Sequence, residues 1–212
     1  MDDSLAHGIG TPAINGFIPK GLPSFNNFKG YSYQPVKAME YISLYKSETG
    51  NLNPEITITT NSQYVDLCEY IQRELEKIGL IVHVDVVPPA TLRQSKASGK
   101  LPIFRASWVA DYPDAENYLS LFYSKNFVPN GPNYMHYKNE EFDKLYEKVF
   151  VTTDNDGRYK LYQQMDSLII NDAPIVPLYY DQFVRFSQKN IRGLSTNPIN
   201  LLNLKKVSKI LE

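Results

Sequence analysis

The segment from Glu55 to Val87 most constrains the fold of this chain, because it predicts a strand, a helix and a second strand in succession. Residues 55–60, EITITT, alternate in polarity and are rich in β-branched side chains, which is typical of a strand. Apolar residues then recur at helical spacing as far as Gly79, where a glycine favours the end of a helix; they are Tyr64, Cys68, Ile71, Leu75 and Ile78. Residues 81–87, IVHVDVV, form the second predicted strand. Short loops between these elements predict two parallel strands joined by a right-handed crossover.

The same alternation continues along the chain. A helix over residues 91–98, ending at Gly99, and a third strand over residues 102–108 extend the pattern to β-α-β-α-β, which predicts an α/β fold. A short helix over residues 36–46 precedes it. The second half is mainly helical; the predicted helices cover residues 113–121, residues 139–149 and residues 158–171. Two strands, over residues 174–180 and 183–187, are predicted to follow them.

The two ends of the chain show no regular period. Glycine and proline interrupt residues 1–35, and the tail from Asn190 onward is irregular. Apolar side chains in the first segment would be unfavourable in water and need a partner surface, in this chain or in a missing one; they include Ile14, Phe17, Ile18, Leu22, Phe25 and Phe28. If that surface is missing, we expect an exposed patch that promotes self-association.

Composition excludes several classes of protein. The 22 Lys and Arg residues against 23 Asp and Glu residues give a net charge of −1, which argues against nucleic acid as a partner. No apolar run approaches the roughly 18 residues of a membrane-spanning helix. Residues 1–10 lack the basic and apolar regions of a secretory signal, so the signal of an exported parent would lie outside this chain.

Residues that could carry chemistry are scattered. His7, His83 and His136 are far apart, and neither an HExxH nor a CxxC motif occurs, so we expect no metal site. Cys68 lies on the apolar face of its helix, which favours a buried structural thiol over a nucleophile. Because no phosphate-binding loop, dinucleotide motif or nucleophile elbow is present, we also expect no cofactor and no catalytic residue. A hydrolase would need a nucleophile–base pair that the sequence does not offer.

One cluster of functional side chains stands out, in residues 104–114, FRASWVADYPD. It places Arg105, the only tryptophan (Trp108) and the carboxylates of Asp111 and Asp114 at the C-terminal end of a predicted strand. In open α/β sheets, ligands are held at that edge. The alternative is structural, with Asp111 or Asp114 capping the following helix and Trp108 in the core. The residues alone leave both interpretations open.

Four stretches in order along the chain resemble a known family. They are Gly10-Thr11-Pro12 with Gly16-Phe17-Ile18-Pro19, the strand–helix–strand over 56–87, Trp108-Val109-Ala110-Asp111-Tyr112-Pro113-Asp114 running to Tyr118-Leu119, and Asp172-Ala173-Pro174-Ile175-Val176-Pro177-Leu178-Tyr179. Asn133-Tyr134 followed by Phe142-Asp143-Lys144-Leu145 resembles the segment that lies between the last two. The chain resembles the C-terminal half of the oligopeptide- and dipeptide-binding proteins of ABC importers, which form extracellular solute-binding protein family 5.

The resemblance implies a periplasmic-binding-protein-like lobe of the α/β class. Its sheet would be mixed and mostly parallel, flanked by helices, with extended terminal segments that pack on an N-terminal lobe absent from this chain. Residues 1–35 would form an inter-lobe segment, residues 36–190 the ligand-binding lobe, and residues 191–212 a segment that returns toward the other lobe.

The function implied by the resemblance is that of a receptor and not an enzyme. It would bind peptides in the cleft between its lobes and deliver them to membrane permease subunits, from the periplasm or as a membrane-anchored extracellular lipoprotein. Asp111 would pair with the α-amino group of the peptide, and Trp108, Arg105 and Tyr112 would bind ligand beside it. A receptor of the same fold for an oligosaccharide, a nickel chelate or haem is the alternative, and the 16 tyrosines suit stacking against sugars.

Overall fold

The computed structural model describes residues 10–197 and 200–210 of the chain. The helices in these residues are α1 (Pro35–Thr49), α2 (Val65–Glu76), α3 (Pro89–Ala97), α4 (Glu116–Leu119), α5 (Glu140–Val149) and α6 (Asn155–Asp172). The strands are β1 (Thr11–Pro12), β2 (Glu55–Thr60), β3 (Ile81–Val86), β4 (Tyr179–Tyr180), β5 (Ile191–Arg192) and β6 (Ser208–Lys209). The first of two compact units holds residues 10–30, 108–119, 140–197 and 200–210; the second holds residues 31–107 and 120–139.

The strand–helix–strand prediction is confirmed in the second unit. Strands β2 and β3 pair in parallel, with Glu55 opposite Ile81. Helix α2 packs on this pair, and Ile58, Cys68 and Val82 form the buried cluster between them. Each strand turns its alternate apolar side chains toward the helix, which is why the period of two in the sequence is a reliable signal here.

Helix α2 ends as its sequence predicts. Gly79 adopts a φ of 91°, a left-handed conformation that favours glycine. Its N–H donates to the carbonyl of Glu76 at 3.1 Å, and the N–H of Leu80 donates to that of Leu75 at 3.4 Å. These two bonds form a Schellman motif, which turns the chain sharply into β3.

The prediction of a third strand over residues 102–108 is wrong. All of these residues are described, and only Phe104 forms a parallel bridge, with Thr59 of β2. Two backbone bonds of 3.0 Å hold it: the Thr59 N–H donates to Ile103, and the Arg105 N–H donates to Thr59. Pro102 has no N–H to extend the ladder on one side, and Ala106 with the polar residue after it is a weak strand former on the other.

The predicted helices of the second half exist with shifted boundaries. Helix α6 begins at Asn155 because the Asp154 side chain caps it, accepting a hydrogen bond of 2.6 Å from the Gly157 N–H. The helix predicted over 113–121 is the single turn α4 followed by a 3-10 turn, Ser120–Phe122. Helices α5 and α6 pack together in the first unit, where Phe142, Tyr162 and Ile169 are buried.

The N-terminal segment packs within the first unit, so the expected exposed patch is wrong for its apolar residues other than Ile14, which is 61% exposed. Ile18 is fully buried and Leu22 is buried, while Phe17, Phe25 and Phe28 are partly covered. Strand β1 pairs antiparallel with β4, and the N–H of Phe17 donates to the side chain of Asp166 in α6. The surface that this segment needs is thus supplied largely by α6 and β4.

The region after α6 contains less strand than predicted. Only Tyr179–Tyr180 of residues 174–180 forms a strand, because Pro174 and Pro177 have no N–H for a ladder. Residues 183–187 are described and form no strand; Phe186 is 95% exposed, so no packing favours one. Instead β5 and β6 pair antiparallel within the irregular tail. The division into segments 1–35, 36–190 and 191–212 stays a prediction.

Candidate functional site

The candidate site begins at Trp108, where the chain returns from the second unit to the first. Trp108 is half-buried, Val109 is exposed, Ala110 is buried, and Asp111 and Tyr112 are both exposed. These residues form an irregular loop that leads into α4. Since the preceding strand does not form, α4 and the side chains that contact it fix this loop.

Asp111 carries an exposed carboxylate. Within residues 10–197 and 200–210 it has neither a hydrogen bond nor an ion pair. Asp114, and not Asp111, opens the helix, since its Oδ1 atom accepts a hydrogen bond of 2.9 Å from the Glu116 N–H. The capping role that the sequence left open between the two aspartates therefore belongs to Asp114, and the Asp111 carboxylate is available to a ligand.

Trp108 is only half-buried, and its indole ring is held by a hydrogen bond. Its indole Nε1–H donates to Oδ1 of Asn117 at 2.8 Å, and Asn117 is itself buried. Tyr112 donates from its hydroxyl group to the Glu116 carboxylate. Two of the predicted ligand residues thus have polar contacts to consecutive residues of α4.

A second layer of side chains supports α4. The remaining oxygen of Asp114 accepts a hydrogen bond of 2.8 Å from Arg158 of α6, and both side chains are somewhat under one-third exposed. Arg158 also donates to the hydroxyl of the buried Tyr162 at 2.7 Å. Burial, and then the hydrogen bond with Asp114, raises the pKa of Tyr162, so this phenol remains protonated at any physiological pH.

Arg105, the fourth predicted ligand residue, belongs to the second unit. Its guanidinium lies over the ring of Tyr64, 3.2 Å from the ring centroid, and donates to Ser107 at 3.4 Å. Burial and then the charges of Arg105 and Arg93 lower the pKa of Lys96, whose ammonium lies 5.5 Å from the Tyr134 ring centroid. Arg105 therefore belongs to a basic group with aromatic neighbours in its own unit.

Sequence reasoning missed four residues of the site: Glu116, Asn117, Tyr146 and Arg158. Tyr146 of α5 donates to the Glu116 carboxylate, as Tyr112 does. Glu116 and Asn117 follow the motif directly, so their proximity was a usable signal. Arg158 is 44 residues from Asp114 and Tyr146 is 30 residues from Glu116, and no local pattern indicates either contact.

Other chemistry has little support in the described residues. They contain no group of three His, Cys, Asp or Glu side chains that could hold a metal ion. His7 lies outside them, and His83 pairs with Glu55 at the surface at 2.9 Å. Cys68 is buried, as its helical position predicts. None of the described helices is long and apolar enough to cross a membrane.

In the first unit, an exposed carboxylate beside oriented aromatic side chains fits a protein that binds a solute. The model of one family, described as bacterial extracellular solute-binding proteins, family 5 Middle, matches residues 1–130. The chain belongs to this family. The resemblance seen in its sequence motifs is thereby confirmed.

Individual relatives are proteins named for the peptides they bind. The chain is 27% identical over 167 residues to the dipeptide-binding protein DppE of Bacillus subtilis (strain 168), across 77% of this chain and 30% of DppE. It is 26% identical over 198 residues to the glutathione-binding protein GsiB of Escherichia coli (strain K12), across 90% of this chain and 38% of GsiB. It spans about a third of the length of these curated relatives. Both are named as binding proteins and neither as an enzyme.

A solved structure agrees with the fold. The periplasmic binding protein DppA of Helicobacter pylori, in complex with peptide STSA, superimposes with a TM-score of 0.80 at 26% identity. The match covers 98% of this chain and 40% of that one. The α/β class and the likeness to a lobe of a periplasmic binding protein are therefore confirmed.

Proposed function

We propose that this chain forms part of the receptor of an ABC importer and that it binds peptides through their free amino terminus. The names of the relatives and the peptide bound to the H. pylori protein support a peptide ligand. One observation carries the proposal: the Asp111 carboxylate is exposed and unpaired among the described residues, beside aromatic side chains that α4 holds in place.

A carboxylate of this kind suits an ammonium group. Charge-assisted hydrogen bonds between the two are worth about 1.5–3 kcal/mol each when water is partly excluded. Trp108 and Tyr112 would provide apolar walls that tolerate varied peptide side chains, with water filling the remaining space. Arg105 stays a predicted ligand residue, as the sequence motif indicates.

The whole receptor would act with other components. The part of the protein outside this chain would supply a second lobe, and the two lobes would close around the peptide by a hinge motion. Residues 1–35 would form an inter-lobe segment, residues 36–190 the ligand-binding lobe, and residues 191–212 a segment that returns toward the second lobe. Permease subunits in the membrane would accept the peptide from a receptor that is periplasmic or anchored outside the cell as a lipoprotein.

The test is Asp111→Asn in the full-length receptor, with the peptide Ser-Thr-Ser-Ala in free and N-acetylated forms as probes. The amide keeps the shape of the side chain but removes the charge that balances the ammonium. We expect the free peptide to lose about 2–5 kcal/mol of binding free energy, or roughly thirtyfold to several-thousandfold in affinity, by calorimetry. The acetylated peptide, which has no ammonium, should bind nearly as before.

Asp114→Asn is the matched control, since it alters the neighbouring carboxylate that caps α4 and pairs with Arg158. It should affect the two forms of the peptide alike. Equal losses for both forms in the Asp111 variant, or no loss for either, would show that Asp111 does not bind the amino terminus.

A further inference from the structure

A continuous chain of hydrogen bonds joins the half-buried Trp108 and the exposed Tyr112 to α4. Trp108 donates to the Asn117 amide oxygen at 2.8 Å, and the Asn117 side chain also hydrogen bonds to the Tyr112 hydroxyl. Tyr112 donates in turn to Glu116. Every donor in this series has one acceptor, so the orientation of the Asn117 amide is determined by its two neighbours.

Glu116 terminates the chain as an acceptor that cannot donate. Its carboxylate accepts hydrogen bonds from the hydroxyl groups of Tyr112 and of Tyr146 in α5. Tyr146 is buried, and burial followed by its hydrogen bond to Glu116 raises its pKa, so its hydroxyl remains protonated and donates. Burial and the bond to Glu116 raise the pKa of Tyr112 as well, whereas its bond with Asn117 lowers it.

Helix α4 cannot hold these side chains by its own stability, because a four-residue helix is too short to be stable alone. Its support comes from other parts of the first unit. Asp114 caps it and pairs with Arg158 of α6, and Leu119 is fully buried. The turn is therefore anchored on both sides before any ligand arrives.

We propose that Glu116 and Asn117 are positioning residues that fix Trp108 and Tyr112 in the orientation in which they contact the peptide. This inference rests on the proposed function, and it extends that function to residues that need not touch the ligand. Side chains that are held in place before binding lose less conformational entropy when the peptide binds. The affinity for the peptide is therefore higher. Without α4, the exposed Tyr112 ring would sample several rotamers.

The first arm of the test needs no ligand. Trp108 is the only tryptophan, so labelling tryptophan with ¹⁵N yields a single indole N–H signal in this chain. We expect Asn117→Leu to speed hydrogen exchange of that N–H by at least about tenfold, the effect of losing roughly one hydrogen bond, with an unchanged helical circular dichroism spectrum. Unchanged exchange would overturn the role of Asn117.

The second arm measures binding of Ser-Thr-Ser-Ala to the full-length receptor. It uses variants of Glu116, which is less buried than Asn117. Glu116→Ala should weaken binding roughly tenfold, the equivalent of about one hydrogen bond, while Glu116→Gln, which still accepts from Tyr112, should retain most of the affinity. Adding Glu116→Ala to Tyr112→Phe should cause no further loss, because Glu116 acts through that hydroxyl. Glu76→Ala, the same change at an exposed position of α2, is the matched control and should change affinity little.

The outcomes separate this inference from the function on which it rests. If the unmodified receptor binds the peptide and Glu116→Ala binds it equally well, the positioning role is overturned and the proposed function stands. Additive losses from Glu116→Ala and Tyr112→Phe would likewise overturn it. If the unmodified receptor binds no peptide, the proposed function fails, and the positioning role of Glu116 and Asn117 fails with it.

Discussion

The carboxylate of Asp166 accepts a hydrogen bond from the backbone N–H of Phe17 at 2.6 Å, although 149 residues separate the two. It also accepts one from Ile18 at 3.4 Å, and Asp166 is only 2% exposed. The hydroxyl of Tyr180 donates to the carbonyl of Gly16 at 2.7 Å beside it. This buried acid therefore fastens the N-terminal segment to α6 and β4, and its protonation should affect stability.

The first prediction is that Asp166 makes the chain less stable as the pH rises. Burial raises its pKa from 3.8 to about 6, and the two amide bonds only partly oppose that change. The folded chain binds this proton more tightly than the unfolded chain, so the stabilisation is complete below about 3.8 and is lost as the pH rises through about 6. The difference is on the order of 3 kcal/mol, since each pKa unit equals about 1.4 kcal/mol.

Urea unfolding of Asp166→Asn between pH 4 and pH 7.5 tests this. Relative to the unmodified chain, the variant should gain stability as the pH rises, because its amide does not ionise. Tyr180 is the titratable neighbour; burial and then Asp166 raise its pKa to about 12, so it stays neutral throughout. Asp85→Asn, at an exposed position, is the control and should follow the unmodified chain; the same behaviour from Asp166→Asn would contradict the prediction.

The second prediction concerns Gly16, which lies against the same carboxylate. A Cβ atom at this position would lie 2.0 Å from Oδ2 of Asp166, so any side chain must displace the acid. Gly16→Ala should lower the free energy of unfolding by about 1–3 kcal/mol, as overpacking typically does. In the double variant with Asp166→Ala, the losses should be less than additive, because the clash is gone; simple additivity in thermal or urea unfolding would refute this explanation.

The third prediction compares two valines of β3. Val82 is 2% exposed in the cluster with Ile58 and Cys68, whereas Val86 is 47% exposed. Val82→Ala should cost about 2 kcal/mol, from two lost methyl groups and the cavity that they leave. Val86→Ala, the same change in the same strand, should cost well under about 1 kcal/mol. Similar losses for the two variants in urea unfolding would mean that α2 does not cover β3 as described.

The fourth prediction uses Cys68, the only cysteine of the chain, as a probe of the second unit. The thiol is 1% exposed on α2, so it should react with a thiol reagent only when that unit opens. Under native conditions we expect labelling at least about a hundredfold slower than for an unfolded control. The reason is that exposing a buried core position costs several kcal/mol of free energy. Addition of urea should accelerate it. Rapid labelling of the native chain would show that the α2–β3 cluster is not closed.

Local sequence patterns were sufficient for one part of the fold. The period of two in β2 and β3, the spacing of apolar residues in α2 and the glycine at its end each act within a few residues of one another. These signals predicted the strand–helix–strand unit and its parallel pairing. The helices α5 and α6 were found in the same way, apart from the start of α6, which the cap at Asp154 moves by three residues from the predicted Arg158 to Asn155.

The motif around Trp108 was likewise evident in the sequence, but the roles of its residues were not. The sequence left the cap of α4 open between Asp111 and Asp114. The choice depends on Arg158, which reaches Asp114 from another helix and leaves the Asp111 carboxylate without a hydrogen bond or ion pair among the described residues.

The sequence alone thus determined the elements whose stability is local, together with the family to which the motifs belong. Only the tertiary structure decided which polar groups become partners. A buried acid such as Asp166 is tolerated because distant backbone N–H groups satisfy it, and Glu116 has its place because Tyr146 reaches it from α5. Such pairings depend on how far the polar side chains are removed from water and on which distant segments pack together. A local sequence pattern contains neither kind of information.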